Sequence, residues 1–265
     1  MPLAKTMKGK ILGSTLFAMA CVNGTTAAAS GTVVLVVPPA ETIPTGPLGE
    51  SIVRGRDYLM STAQRLPEFV GNGLTCKNCH LGNATEVGTV ANAAPFIGVV
   101  GRFPQFNARD QMVELLERRI NDCFERSMNG KPLPLDHPAM VDMVAYMTWL
   151  SQGVPIGARV AGSGIPELEL ARAPNPIDGG VVYKAKCAMC HGADGSGTKS
   201  ADGDGGYVFP PLWGLQSFAG RAGMARQHTA AGFIKHKMPF GAGDSLSDGE
   251  AWDLAAYVLS QVRPD

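Results

Sequence analysis

Two runs of this 265-residue chain carry the same chemistry: Cys76-Lys77-Asn78-Cys79-His80 and Cys187-Ala188-Met189-Cys190-His191. In such a run each thiol can form a thioether with one vinyl group of a haem, and the His then lies beneath the iron as its proximal ligand. A zinc knuckle would need further Cys/His pairs at ligand spacing, and a redox Cys-x-x-Cys leaves the His of both copies unexplained. The pattern predicts two covalently attached haem c groups, one on Cys76, Cys79 and His80, the other on Cys187, Cys190 and His191.

What fills the sixth position of each iron separates electron carriers from catalysts. After the second motif, Lys235-His236-Lys237-Met238-Pro239-Phe240 offers the Met238 thioether, and a Met/His pair raises the reduction potential. Lys237 and His236 are alternative ligands, and a plain core-filling Met238 is the structural alternative. The corresponding part of the first half has no Met-Pro. It has Asp110 to Met128, whose spacing predicts a helix with Asp110 as N-cap and Val113, Leu116, Ile120 and Cys123 on one face.

Cys123 is then turned toward the first haem. Of the six cysteines, four hold haem and Cys21 leaves with a leader, so Cys123 lacks a disulfide partner. It is read as a thiolate ligand of the first iron that also meets substrate; an inert buried Cys, or a bridge to a retained Cys21, is the structural alternative. Arg119 is one helical turn away at i, i+4, and Arg109, Arg118 and Arg126 are near in sequence. Guanidinium groups beside a thiol depress its pKa and bind a dianionic oxyanion in a bidentate fork. A small sulfur or phosphorus oxyanion is the predicted substrate class.

The elements that must position these groups are legible in outline. With 23 basic and 23 acidic residues there is no cationic field for nucleic acid. Abundant Gly and Pro with few aromatics suit a loop-rich fold whose core is completed by porphyrin. Lys5, Lys8 and Lys10 precede an apolar run from Ile11 to Ala20, and Ala27-Ala28-Ala29 offers a cleavage site, so 1–29 reads as a signal peptide. Ala18-Met19-Ala20-Cys21 is a competing lipobox reading, with Ala18 where Leu is usual. Either leader implies a periplasmic protein, and no later segment is apolar enough to span a membrane.

Residues 30–47 read as an extended arm in which Val33 to Val37 could be a strand without an evident partner. A helix is expected from Ser51 to Leu66, ending before Pro67. Asp142-Met143-Val144-Ala145-Tyr146 repeats as Asp253-Leu254-Ala255-Ala256-Tyr257, and Tyr146 follows His80 at the same remove as Tyr257 follows His191. This marks an internal duplication. Domains are expected at 48–152 and 177–265, with a Gly- and Pro-rich surface linker at 153–176.

The two halves resemble class I cytochromes c. That resemblance implies a mainly α fold of two such domains joined by a long linker. It also implies a turn carbonyl, with Pro95 and Pro211 as candidates, that accepts from the His ring nitrogen not bound to iron. The segment Arg119-Ile120-Asn121-Asp122-Cys123-Phe124-Glu125-Arg126-Ser127-Met128-Asn129-Gly130, set between the two haem motifs, is similar to the dihaem thiosulfate dehydrogenases. The family resemblance implies Cys123 as distal ligand of a catalytic haem, Arg109 and Arg119 as thiosulfate-holding residues, and Met238, or Lys237 exchanging with it, on an electron-exit haem. It further implies coupling of two thiosulfate ions into tetrathionate, with two electrons leaving to a small periplasmic acceptor such as a cytochrome c. The first domain also resembles the cytochrome subunit of the sulfur-oxidation (Sox) complex, against which the complete second haem domain argues. The alternatives are a tetrathionate reductase running the same chemistry backwards and a non-enzymatic dihaem electron carrier.

Overall fold

The computed structural model describes residues 32–201 and 206–265; the expected signal peptide and Cys21 lipobox lie outside the described residues. Among the described residues the secondary structure is mainly helical, with three two-stranded pairings. The first half contains β1 (Thr32–Val33), α1 (Pro47–Met60), α2 (Thr62–Arg65), the ribbon β2 (Gln105–Asn107) and β3 (Met112–Glu114), α3 (Leu116–Asp122) and α4 (Pro138–Leu150). After β4 (Arg159–Val160) come α5 (Pro176–Lys186), α6 (Ala188–His191), the ribbon β5 (Thr198–Lys199) and β6 (Tyr207–Phe209), α7 (Gln227–Lys237) and α8 (Asp248–Leu259).

Helix ends follow local chemistry. Pro47, Pro138 and Pro176 occupy first-turn positions, where the missing N–H costs nothing and the fixed φ suits a helix. Asn175 accepts from Ile177 N, and Ser247 with Glu250 forms a reciprocal capping box at the start of α8. The buried stripe of α1, Ile52, Gly55 and Leu59, faces α4.

The sequence repeat is also a spatial repeat. In the first half α1 crosses α4 so closely that Gly55 backs onto the Asp142 carbonyl; in the second, α5 crosses α8 with Gly179 against the Asp253 carbonyl. Each crossing is tied by the same buried Asp. Asp142 accepts from Ser51 Oγ at 2.6 Å and Arg54 Nε at 2.8 Å, and Asp253 from Arg172 Nη2 at 2.6 Å and Asn175 N at 2.7 Å. Tyr146, fully buried, donates to Val87 O at 3.1 Å and accepts from Val87 N at 3.2 Å, while Tyr257 packs tilted against Tyr183 and edge-to-face with Trp213.

Two expectations change. The helix expected over 110–128 is confined to Leu116–Asp122, because Asn107 Oδ1 accepts from Arg109 N and Asp110 N and turns the chain back into the β2–β3 ribbon. Asp110 is therefore a turn residue that pairs with Arg126 at 2.9 Å rather than a helix cap, and Val113 is exposed. The strand expected at Val33 to Val37 is confined to Thr32–Val33, and it does have a partner, running parallel to Arg159 and Val160. The joining segment 153–176, largely at the surface, is hydrogen-bonded to both halves. Asn92 N donates to Gly162 O and Ala94 N to Gly164 O, while Trp252 Nε1 donates to Glu169 O. A backbone without its own sheet or helix meets its polar groups this way.

Candidate active site

The first Cys-x-x-Cys-His run opens as a 3-10 turn, Cys76–Asn78, capped reciprocally by Thr75 and Asn78. Its thiols and those of Cys187 and Cys190 are free, so none is consumed by a disulfide. His80 Nδ1 is 2.7 Å from Ala94 O, and His191 Nδ1 is 2.8 Å from Pro210 O. In each half, then, Nδ1–H is engaged and Nε2 remains as the metal-binding nitrogen. The carbonyl belongs to the residue before the proline named as candidate, Ala94 rather than Pro95 and Pro210 rather than Pro211. The reason is that this peptide unit ends in the proline nitrogen, which has no hydrogen to donate, leaving its oxygen as the sole hydrogen-bonding group. Burial lowers the His191 pKa, keeping the imidazole neutral as a metal requires. Free thiol pairs beside histidines with an oriented Nε2 fit a covalently attached haem in both halves.

Beyond His80 lies a cavity of about 390 Å³ lined by Cys79, His80, Arg109, Arg119, Cys123 and Arg126. Cys123 is delivered to it by a change of helix type. α3 gives way to a π turn over Cys123–Ser127, with Met128 N donating to Cys123 O five residues back. Such turns widen a helix where a side chain must be re-aimed. The turn is pinned by Asn121, whose amide exchanges two hydrogen bonds with the Leu133 backbone, and by Gly71 N donating to Met128 O. Gly130 lies against the Phe69 carbonyl, where a Cβ would collide.

Arg119 Nη1 donates to Cys123 Sγ at 3.3 Å, the i, i+4 contact expected of a helix. Burial pushes the Cys123 thiol up, but the Arg119 charge and hydrogen bonding with His80 and Arg119 outweigh it and bring it down to about 7. Burial dominates at Cys76 and Cys79, pushed up to about 12, and at Cys187, pushed up to about 11. Only a thiol held near neutrality is substantially thiolate, and hence a nucleophile and metal ligand, at pH 7.

Arg126 is matched by Asp110 at 2.9 Å and Asp122 at 3.1 Å, and Arg118 by Glu125 at 3.2 Å. The arginines named from the sequence thus divide: Arg109 and Arg119 are open to the cavity, while Arg118 and Arg126 are largely neutralised. Cavity residues absent from the sequence reading include Met224, Arg226 and Thr229 of the second half. No local signal points to them, because they arrive through tertiary packing. Cys187, Cys190, His191, Lys237 and Met238 do not line this cavity. Lys237 ends α7 and Met238 is its C-cap; their neighbours Lys235 and His236 are held by Leu246 O and Asp244, whereas Lys237 and Met238 have no polar side-chain partner among the described residues.

Residues 68–156 match the family described as SoxA/TsdA, cytochrome c domain, and residues 174–258 match cytochrome C oxidase, cbb3-type, subunit III. Fold, motifs and matches together define a dihaem c-type cytochrome with two covalently bound haem c groups. The thiosulfate dehydrogenase of Allochromatium vinosum is 65% identical over 233 residues, covering 88% of this chain and 86% of that protein. That of Psychrobacter arcticus is 44% identical over 246 residues, covering 93% of this chain and 73% of that protein. The solved thiosulfate dehydrogenase (TsdBA) from Marichromatium purpuratum superposes with a TM-score of 0.79 at 34% identity over 85% of this chain, which spans 48% of that longer chain. The chain belongs to the dihaem thiosulfate dehydrogenases. No helix among the described residues is long and apolar enough to cross a membrane.

Proposed function

We propose that the protein couples two thiosulfate ions into tetrathionate in the periplasm and passes the two electrons to a small external acceptor such as a cytochrome c. The observation that carries this reading is the Arg119–Cys123 contact at 3.3 Å inside a cavity shared with Cys79 and His80. It joins a low-pKa thiol, a dianion-binding guanidinium and a haem-attachment site in one place. The curated relatives named for thiosulfate support the substrate, and the leader read at 1–29 supports the compartment.

In this reading 48–152 is the catalytic domain and 177–265 the electron-exit domain, joined by 153–176. Cys76 and Cys79 hold the first haem and Cys187 and Cys190 the second. His80 with Cys123 ligates the first iron and His191 with Met238, or Lys237 in exchange, the second. When bound, each haem supplies a one-electron acceptor, and two match the two-electron stoichiometry.

Arg109 and Arg119 hold the sulfonate of one thiosulfate so that its terminal sulfur meets Cys123 Sγ. With the Cys123 thiolate free of the iron, a sulfur–sulfur bond would form there, and the two electrons lost would be taken up by the two haems, one each. The terminal sulfur of a second thiosulfate then attacks the sulfur attached to Cys123; the new bond makes tetrathionate, and the Cys123–sulfur bond breaks to return the thiolate. Guanidinium pairing offsets the repulsion between two dianions in a partly dry cleft.

The test is stopped-flow visible spectroscopy of the oxidised protein mixed with thiosulfate. Reduction of the haem bands is expected in wild type and not in Cys123→Gly, with both haems retained. Reduction of both proteins alike would sink the role of Cys123. No reduction in either would turn the assignment to an electron carrier, or to a tetrathionate reductase if the reduced protein is oxidised by tetrathionate.

A further inference from the structure

The active cavity is closed by the second half. Phe218 and Ala222 are buried in the core of the first half, Asn72 and Asn129 both donate to Ser217 O, at 3.2 and 2.7 Å, and Ala219 N donates to Arg126 O at 3.1 Å. This docking fixes the start of α7, where Arg226 is the residue preceding the helix and Met224 and Thr229 flank it. Arg226 lines the cavity that holds Arg109, Arg119 and Cys123, yet lies in the other half of the duplication.

Charge matching singles it out. Of the four arginines on this cavity, Arg126 is matched by Asp110 and Asp122, and Arg119 by Cys123. Arg109 and Arg226 have no side-chain ion-pair partner among the described residues. Burial lowers the Arg109 pKa, and the nearby charges of Arg126 and Arg226 lower it further against the opposing pull of Asp110 and Asp122. Four guanidiniums line the cavity against two carboxylates, Glu114, which accepts from Asn107, and Asp122, which pairs with Arg126, so Arg109 and Arg226 are left for an anion, to whose sulfonate a guanidinium offers a bidentate fork.

Two anions must be held if thiosulfate is to be coupled. The first must lie against Cys123, where Arg119 is; the second attacks from the opposite side, and its sulfonate ends up at the far end of a four-sulfur chain. We propose that Arg226 is the anchor for this second sulfonate, holding the attacking thiosulfate and then the far end of tetrathionate, so that each half of the molecule supplies one end of the substrate site. The proposal rests on the tetrathionate reading above. It also accounts for why the second half is buttoned onto the first at Ser217–Ala219, since a loosened second half would carry its arginine away.

The experiment measures binding of tetrathionate and of sulfate to the oxidised full-length protein by isothermal titration calorimetry, for wild type, Arg226→Gln and Arg226→Lys. Oxidised protein has no electrons with which to reduce tetrathionate, and placing all three proteins on a Cys123→Gly background removes the thiolate that would otherwise displace thiosulfate from it. Both anions are dianions, but sulfate has one tetrahedral end and tetrathionate two. Loss of one charge-assisted contact predicts that Arg226→Gln weakens tetrathionate by roughly tenfold or more beyond any weakening of sulfate. Arg226→Lys should recover part of that loss, which a merely structural role would not produce at an exposed side chain. Equal weakening of the two anions, or none, would overturn the assignment. Protein with Arg226 intact that binds sulfate but not tetrathionate would overturn the tetrathionate reading itself, and Arg226's role with it.

Discussion

Gly179→Ala tests the helix crossing that carries the second haem site. α5 leads directly into Cys187, and its Gly179 lies against the Asp253 carbonyl of α8, so an added methyl would overlap a backbone oxygen that has no rotamer to escape to. Overpacking of this kind costs roughly 1–3 kcal/mol. Replacing Gly by Ala inside a helix returns roughly 1 kcal/mol of propensity. Because the obstacle is backbone, the upper part of the range applies, and a net loss of about 1–2 kcal/mol is expected. For a domain of this size that is a fall in Tm of the order of 4–15 °C.

Gly249→Ala, in α8, is the internal control. Its added Cβ would meet only Arg172 Nη2, at 3.5 Å, and propensity should win by about 0.5 kcal/mol. Guanidinium and thermal unfolding of the dihaem protein, followed by far-UV circular dichroism, reads both. Propensity alone predicts that the two substitutions stabilise alike; the structure predicts opposite signs. Gly179→Ala at or above wild-type stability would refute the reasoning that the crossing is set by backbone contact.

Two further outcomes follow from the buried polar groups. Hydrogen bonds from Arg172, working against burial, hold the Asp253 carboxyl below its ordinary 3.8, so its stabilising contribution is complete above that pH and is lost as pH falls through the folded value. Asp253→Asn should therefore lower Tm at pH 7, with the gap to wild type narrowing as pH falls below about 3.8; a gap that does not narrow with falling pH would mean packing rather than charge. Asn72 is buried and donates to both Ser127 O and Ser217 O at 3.2 Å. Asn72→Ala should cost roughly 1–3 kcal/mol in unfolding experiments and raise KM for thiosulfate, since it frees both the π turn and the second half; an unchanged KM would show that the docking does not shape the site.

The haem chemistry was legible because it is covalent and local: five consecutive residues carry both thiols and the ligand, and nothing distant can supply them. The contact of Arg119 with Cys123 was legible for the same reason, since a single helical turn sets it. The helix expected across Asp110 failed where two local tendencies compete. Residues 110–115 have helical apolar spacing, but the Asn107 side chain captures the backbone of Arg109 and Asp110 first and turns it into a ribbon. Gly179 and Gly249 look alike in the sequence and differ only in what lies opposite them.

The sequence by itself determined the two haem-attachment runs and the pairing of the Cys123 thiol with the Arg119 guanidinium one turn away, because both depend on residue type and short spacing. Only the tertiary structure decided which arginines remain un-neutralised, how the joining segment is held and that Arg226 reaches the cavity. Those outcomes depend on where the second half docks. That docking is set by Asn72, Asn129, Phe218 and Ala222 acting across long sequence separations, and no periodicity within either half records it.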